Sequence, residues 1–407
     1  MEASLKLGNG DWGVKNDSLL AYDDVGGKFR PLPFDFTRAS SATVVNKQGL
    51  IETVQSGIPR IDFNDDVNGA LKLEPQSTNL LTQSEDFSNS YWTKSGASVV
   101  SGFTSPSGEA NAFKLVEDTS TVGHSVFRNS STVTLSSHSF SCFVKTNGRN
   151  VKLDFFGGTN NAIFDLTNGT VISANGTGLT AKIELFSGNW YRCSVTQVQT
   201  STTIYPNILT VDNFNNSTYQ GDGTSGVYIY GAQLEQKSYA TSYIPTSGAS
   251  ATRNQELCND ATPVINSEEG TLYAEISALA DEATTKSISI NSGSSTNVVR
   301  ISFFSNVILA RIVSPSGTTS NLTYTVPSIN DFYKVAFKYN ATLNNHALYV
   351  NGALRFTSTQ VIDLGSSLTT LSFADGNAAG NFYGNTKDLK YYPKALADVQ
   401  LQDLTTL

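Results

Sequence analysis

Length, composition and charge already limit what this chain can be. It has 407 residues, more than one hydrophobic core usually covers, so at least two domains are expected. Its 27 Lys and Arg against 35 Asp and Glu give a net charge of -8, so the basic footprint that a nucleic-acid backbone requires is missing. Charged residues make up only 15%. Ser, Thr, Asn and Gly take their place, which favours β-sheets with neutral polar outer faces over long helices.

The first zone, residues 1–75, is expected to be a short adaptor with brief apolar segments between Gly- and Asn-rich turns. Residues 76–246 are expected to form a carbohydrate-binding-like β-sandwich. A small, polar linker is placed at 247–262, and a second sandwich at 263–407. The predicted fold class is therefore all-β, an adaptor followed by two antiparallel jelly-roll sandwiches.

Strands in both sandwich zones are predicted from alternation, because every second side chain of a strand faces the core. The predicted core-facing sets are Phe140, Cys142 and Val144; Val151, Leu153 and Phe155; Tyr191, Cys193 and Val195; Leu272, Ala274 and Ile276; and Tyr333, Val335, Phe337 and Tyr339. Strands recur with turn signals such as Asn351-Gly352 between them, a rhythm typical of antiparallel sandwiches. Helix is predicted only at residues 394–401, just after Pro393.

Cysteine, histidine and apolar runs are informative mainly by their scarcity. The three cysteines cannot all pair within one chain, and Cys142 and Cys193 lie in strand-like alternation, so buried free thiols made in a reducing compartment are predicted. The three histidines are scattered, which disfavours a zinc site. No apolar leader or membrane-spanning run is recognised, so we expect synthesis in the cytoplasm and no membrane insertion.

Residues 36–52 (FTRASSATVVNKQGLIE), 59–63 and 73–81 resemble the opening module of many tailed-bacteriophage virion structural proteins, and residues 3–12 are similar to N-termini of such proteins. GAQLE at 231–235 and ATSYIPT at 240–246, which close the first sandwich zone, are a second point of resemblance to phage virion proteins. The resemblance implies a virion protein whose N-terminal module binds other virion proteins, and fibres of this type are usually symmetric, so a homotrimer is expected.

The last zone resembles the concanavalin A-like (laminin-G-like) lectin and glucanase sandwich. The resemblance is carried by residues 332–337, 348–352, 382–384 and 391–396. One departure is Phe332, where that family often carries Trp. The resemblance implies a fold much more than an activity.

Residues 40–51 predict a β-hairpin with Gly49 near its turn. Arg38 and Arg60 flank it, and Glu52 and Asp62 are their candidate partners. So small an element cannot bury enough surface alone, so it must dock on the following domain, on sister chains or on the virion.

Hydrolysis of a glycan needs two carboxylates across a cleft. The neighbouring pairs lie in turn-like stretches where solvated loop carboxylates are the favoured interpretation: Asp23-Asp24, Asp65-Asp66, Glu85-Asp86 and Glu268-Glu269. No Glu-x-Asp-x-x-Glu spacing and no nucleophile or phosphate-loop motif is present, so a non-enzyme is predicted.

Sugar binding calls for an exposed aromatic face beside amide and carboxyl groups. Trp92 and Trp190 are candidates for that role, with core packing as the alternative for each. Asp222, in the turn 220–223, and Asp375 and Asn377, in the loop 374–381, are candidates for polar contacts, with plain turns as the alternative. A structural Ca²⁺ at such oxygen-rich loops is considered, but no cofactor or metal is expected.

The sequence thus predicts a virion-located tail fibre or adhesin that binds host-surface glycan without cleaving it. Weak stacking and hydrogen bonding would become effective through many copies. A head fibre or capsid decoration protein is the alternative, and a polysaccharide depolymerase is a third, less favoured one.

Overall fold

The computed structural model describes residues 2–23, 30–155, 159–365, 367–377 and 379–407. These residues form antiparallel β-structure almost throughout, so the all-β prediction is confirmed. In the described part of the chain, no helix is long and apolar enough to cross a membrane.

Short strands joined by turns follow one another along the described chain. The first strands are β1 Leu5–Gly8, β2 Gly13–Lys15, β3 Ser18–Asp23, β4 Arg30–Thr37, β5 Ala42–Val45, β6 Ile51–Val54, β7 Arg60–Asp62, β8 Ala70–Leu73, β9 Ser77–Asn79, β10 Trp92–Ser95, β11 Ala97–Phe103, β12 Ala112–Glu117, β13 Thr121–Val122, β14 Ser125–Arg128, β15 Ser131–Thr132, β16 Ser137–Asn147, β17 Asn150–Asp154, β18 Asn161–Asp165 and β19 Thr170–Asn175. The later strands are β20 Thr180–Phe186, β21 Trp190–Val198, β22 Thr203–Ile204, β23 Asn207–Val211, β24 Tyr219–Gln220, β25 Gly226–Glu235, β26 Ala251–Arg253, β27 Leu257–Asn259, β28 Glu269–Ala278, β29 Lys286–Asn291, β30 Val298–Phe304, β31 Val307–Val313, β32 Thr319–Thr325, β33 Tyr333–Asn340, β34 His346–Val350, β35 Ala353–Ser358, β36 Thr370–Ser372 and β37 Gly384–Tyr392. A 3₁₀ turn spans Ser187–Asn189, and the helix α1 spans Asp398–Thr405.

One compact unit, which we call the terminal unit, contains Met1–Ser41, Val54–Pro75 and Asn254–Leu407. Among its described residues, one sheet has the order β27-β4-β3-β1-β37-β28-β33-β34-β35, with β2, β7 and β8 attached. The second sheet has the order β32-β31-β30-β29-β36. Side chains from both sheets form one hydrophobic core, which includes the predicted inward-facing residues of β28 and β33.

The other compact unit, the central unit, contains Ala42–Thr53 and Gln76–Arg253. Its described residues form two main sheets, of order β10-β14-β23-β17-β18-β19 and β11-β12-β25-β16-β21-β20. The core between them holds the predicted inward-facing residues of β16 and β17, together with Cys193 and Val195 of β21. Alternation therefore predicted these strand faces correctly.

The division into units differs from the expected succession of adaptor, linker and two sandwiches. The strand β1 of the expected adaptor pairs with β37, with Leu5 opposite Tyr391. The predicted hairpin does form, with Gly49 at a φ of 76° in its turn, but it packs in the central unit. There Val45 and Ile51 join an aromatic cluster with Phe143 and Tyr243. Most of the N-terminal 75 residues thus complete a sandwich, and their attachment role stays a prediction.

The two arginines beside the hairpin have partners that sequence reasoning did not anticipate. Nη1 of Arg38 donates to Oε1 of Glu256 at 2.7 Å. Arg60 also donates to Glu256, from Nε at 2.8 Å and from Nη2, and it reaches Glu74 at 2.7 Å. All these side chains are nearly or fully buried. Glu256 is far from both arginines in sequence, so neighbour-based pairing could not find it.

Within the central unit, the segments that carry the resemblance to phage proteins form hydrogen bonds with one another, although they lie near opposite ends of its sequence. Asn79 donates to the carbonyl of Ile244 at 2.9 Å and accepts from the backbone of Leu234 at 3.1 Å. Gln233 accepts from the backbone of Ile244 at 2.6 Å. Glu235 accepts from Ser77 at 2.6 Å. These bonds satisfy buried polar groups, so the segments that carry the phage resemblance stabilise the folded central unit.

Two smaller predictions have different outcomes. The C-terminal helix exists, but it begins at Asp398 because residues before it remain extended, with Ala397 at a ψ of 152°. Cys142, Cys193 and Cys258 are buried free thiols, as predicted.

Candidate functional site

The two tryptophans proposed for sugar stacking lie in the interior, which corrects that assignment. Trp92 is 1% exposed, its ring lies 5.1 Å from that of Phe87, and its Nε1 donates to the carbonyl of Gln83 at 2.8 Å. Trp190 is 3% exposed and belongs to the aromatic cluster that includes Phe143. Neither ring offers a face to a ligand, so the core-packing alternative holds for both.

Asp222 organises its own turn. Its Oδ1 accepts from the backbone of Thr224 and of Ser225, each at 2.7 Å, and its Oδ2 accepts from the Ser225 hydroxyl at 2.7 Å. These hydrogen bonds, led by the one from the Ser225 backbone, hold the pKa of Asp222 well below its usual value. Since both oxygens are occupied, a direct sugar contact by this carboxylate is not supported.

A buried carboxylate anchors the same end of the central unit. Glu117 accepts from Nη2 and Nε of Arg149 at 2.6 and 2.8 Å, from the Tyr219 hydroxyl at 2.7 Å and from the backbone of Asp222 at 2.8 Å. Burial alone would raise its pKa, but the bonds from Arg149 and Tyr219 outweigh burial and keep the pKa low. Such a saturated carboxylate fixes loops and is unsuited to donate a proton.

Strand ends from both sheets of the central unit lie beside the turn that contains Asp222. Asn147, at the end of β16, pairs with Gly226 at the start of β25. In the other sheet, Asn150 of β17 pairs with Val211 at the end of β23. The backbone N–H of Glu117, where β12 ends, donates to Ser225 at 3.1 Å. The turn that follows β23 therefore lies at the same end, which we call the loop end.

The most exposed aromatic ring of the loop end belongs to Phe214, which is 85% exposed. Its turn is tied by Asp212, whose Oδ1 accepts from the backbone of Phe214 at 2.9 Å and of Asn216 at 2.7 Å. Oδ2 of Asp212 accepts from the Asn216 amide at 2.9 Å. Asn215 adopts a φ of 65°, a left-handed conformation that Asn tolerates. A fixed turn thus holds an apolar ring in solvent among amide side chains.

The sequence analysis selects the tryptophans for sugar stacking and does not select the run 212–216. The signal that could have found Phe214 is a large apolar residue inside a run of Asp and Asn. Trp92 and Trp190 instead each begin a strand, and their rings pack in two different hydrophobic clusters of the central unit.

Asp375 and Asn377 lie together in one loop of the terminal unit. Oδ1 of Asp375 accepts from the backbone of Asn377 at 3.0 Å. Asn377 donates from its amide to the Ser295 hydroxyl at 2.8 Å and accepts from the Ser295 backbone at 3.2 Å. Asn377 therefore ties two loops. Oδ2 of Asp375 lies 3.8 Å from Nη1 of Arg300.

A shallow pocket of about 280 Å³ lies elsewhere in the terminal unit. Its lining residues are Ile265, Asn266, Ser267, Glu268, Gly365 and Leu368. This lining has a single carboxylate, so the pocket does not present the carboxylate pair of a glycosidase. Among the described residues, no group of three or more His, Cys, Asp or Glu could hold a metal ion.

No family model and no curated protein matches this sequence. Several solved β-sandwich structures are similar to part of it. One is the Ruminococcus gnavus IT-sialidase CBM40 bound to alpha2,3 sialyllactose, with 17% identity and a TM-score of 0.31, covering 34% of this chain and 83% of that one.

Two others are similar at the same level. The botulinum neurotoxin serotype G binding domain has 12% identity and a TM-score of 0.30, covering 37% of this chain and 39% of that one. The native heptameric SAP-like pentraxin from Limulus polyphemus has 14% identity and a TM-score of 0.28, covering 33% of this chain and 68% of that one. With TM-scores of this size, none of the three assigns a family or a ligand to this chain.

Proposed function

We propose that this protein is a tailed-bacteriophage virion protein, a tail-associated fibre or adhesin that binds host-surface glycan without cleaving it. The virion part rests on the resemblance of the N-terminal and GAQLE segments to phage structural proteins. The alternative location, as a head fibre or capsid decoration, rests on the same segments.

The glycan part rests on one observation, the Phe214 ring held in solvent by the Asp212 turn. A ring that a fixed turn holds in solvent is available for a contact, and covering it would remove apolar surface from water. The apolar face of a sugar ring can stack on it. Amides of Asn213 and Asn216, both exposed beside it, can bond the sugar hydroxyls.

One such contact is weak, since a single ring buries little area and a few exposed hydrogen bonds contribute modestly. Binding would become effective through repetition, and a homotrimer on a particle with several fibres supplies it. The carboxylate Glu117 is committed to four hydrogen bonds, which supports binding rather than hydrolysis at this end.

The test is binding of purified protein to host-surface polysaccharide, compared between wild type and Phe214→Ala. We expect at least a several-fold loss of apparent affinity for the variant and no release of reducing ends by either protein. The matched control is Phe304→Ala, which removes another exposed ring, 43% exposed, from the terminal unit. Equal binding by all three proteins would refute the loop-end site, and released reducing ends would refute the non-enzymatic mechanism.

A further inference from the structure

A row of polar residues crosses the outer face of the β32-β31-β30-β29-β36 sheet. Arg300 on β30 lies directly opposite Arg311 on β31. The row continues to Ser289 on one side and to Asn321 on the other. The residues that flank the row along the strands belong to the core: Ile290, Val299, Ile301, Ala310, Ile312 and Leu322. Since side chains alternate along a strand, the row faces away from the core.

The two arginines form a like-charge pair, an arrangement that destabilises a sheet when the charges lie directly opposite. The Arg300 side chain is only 12% exposed, and the carboxylate facing it is that of Asp375, at 3.8 Å. Burial lowers the pKa of Arg300, and the charge of Arg311 lowers it further. In the described part of the chain, the buried Nε of each arginine has no hydrogen-bond partner.

Three other arginines of this chain differ from this pair in having carboxylate partners at hydrogen-bond distance. Arg38 and Arg60 share Glu256 at hydrogen-bond distance, and Arg149 is held by Glu117 through two bonds. At the Arg300–Arg311 pair, the Asp375 carboxylate beside Arg300 lies beyond hydrogen-bond distance, at 3.8 Å. An external anion would supply the missing negative charge.

We propose that Arg300 and Arg311 bind the carboxylate of an acidic sugar on this outer sheet face. The planar guanidinium fork matches a carboxylate through two parallel hydrogen bonds. The exposed Asn321 and Thr323 lie on the next strand, where amide and hydroxyl groups can contact the rest of the sugar. The anion site stands on the arginine geometry alone, whereas its preference for a sugar rests on the proposed glycan-binding function.

The experiment is calorimetric titration of the full chain with glucuronate, glucose and acetate at low salt. We expect glucuronate to bind, glucose to bind far more weakly at this site, and acetate to bind more weakly than glucuronate. Arg311→Gln should weaken glucuronate binding by at least tenfold, because a charge-assisted bond is lost. Arg311→Lys should also weaken it, since a point charge lacks the fork.

Two controls separate recognition from damage to the fold. Arg355→Gln changes another arginine whose Nε has no partner among the described residues; it stacks on Tyr324 at 4.4 Å and lies in the other sheet. This variant should bind glucuronate within about twofold of wild type. Arg311→Gln removes a like-charge contact, so its melting temperature should not fall.

Unchanged glucuronate binding by Arg311→Gln, or no binding of either anion by wild type, would overturn the site. Equal affinity for acetate and glucuronate would overturn its sugar preference. Loss of polysaccharide binding in Phe214→Ala but not in Arg311→Gln would refute this site while leaving the loop end in place. The reverse pattern would support this site and refute the loop end.

Discussion

The buried ion cluster of the terminal unit gives the sharpest stability prediction, through the substitution Glu256→Gln. Glu256 accepts from Arg38, from two nitrogens of Arg60 and from the backbone of Glu74 at 3.0 Å. The side chains of Arg38, Arg60 and Glu256 are all 0% exposed, so water cannot replace a lost partner.

The magnitude follows from the charge balance. Wild type holds two guanidinium groups against the carboxylates of Glu74 and Glu256, whereas the variant holds two cations against Glu74 alone. The new amide also turns its NH₂ toward groups that are themselves donors. Removing one partner of a buried ion pair costs about 3–5 kcal/mol, and we expect Glu256→Gln to lower the unfolding free energy of the terminal unit by that amount.

The assay is native-state hydrogen exchange with mass spectrometry, because it reports the two units separately. Peptides from β28 and β33 should lose protection by about two to four orders of magnitude in exchange rate, while peptides from β16 and β25 keep theirs. The control Glu268→Gln removes an exposed carboxylate and should change protection by less than about 0.5 kcal/mol. A loss below about 1 kcal/mol for Glu256→Gln would refute the reasoning.

Two further predictions concern the central unit and the thiols. Burial raises the pKa of Asp154 from 3.8 to about 6, so the neutral form is favoured in the folded chain and stability falls as pH rises from about 4 to about 6. Asp154→Asn should abolish that fall and raise the unfolding free energy at pH 7 by up to about 3 kcal/mol; an unchanged pH profile in urea denaturation would contradict this. Cys142, Cys193 and Cys258 should react with a thiol reagent only after denaturation, giving three thiols per chain. A value near one would instead reveal a disulfide, for which the directly opposed Cys142 and Cys193 are the candidates.

Periodicity predicted the strands well because a buried face requires an apolar residue at every second position. The alternation around Cys142 and around Val335 identified inward-facing residues that the structure places in the cores. It could not show that β1 pairs with β37, because pairing partners distant in sequence leave no local pattern. The same limit explains why Glu256 was not anticipated as the partner of Arg38.

The candidate sites were harder to predict, because tryptophan serves equally well in a core and at a binding surface. Trp92 and Trp190 were chosen by residue type, and burial excludes both. Asp222 and Asn377 were found in loops, as expected, but their polar atoms bind neighbouring groups of the chain. Arg300 and Arg311 are eleven residues apart, and only the strand register places them opposite each other.

The measurement that tests the central claim most directly is localisation of this chain on the purified phage particle. Antibody labelling or a particle reconstruction with the chain identified would both serve. The account predicts label at the tail, where a glycan-binding fibre meets the host surface. Label over the head would favour the decoration alternative, and a particle without this chain would contradict the proposed function.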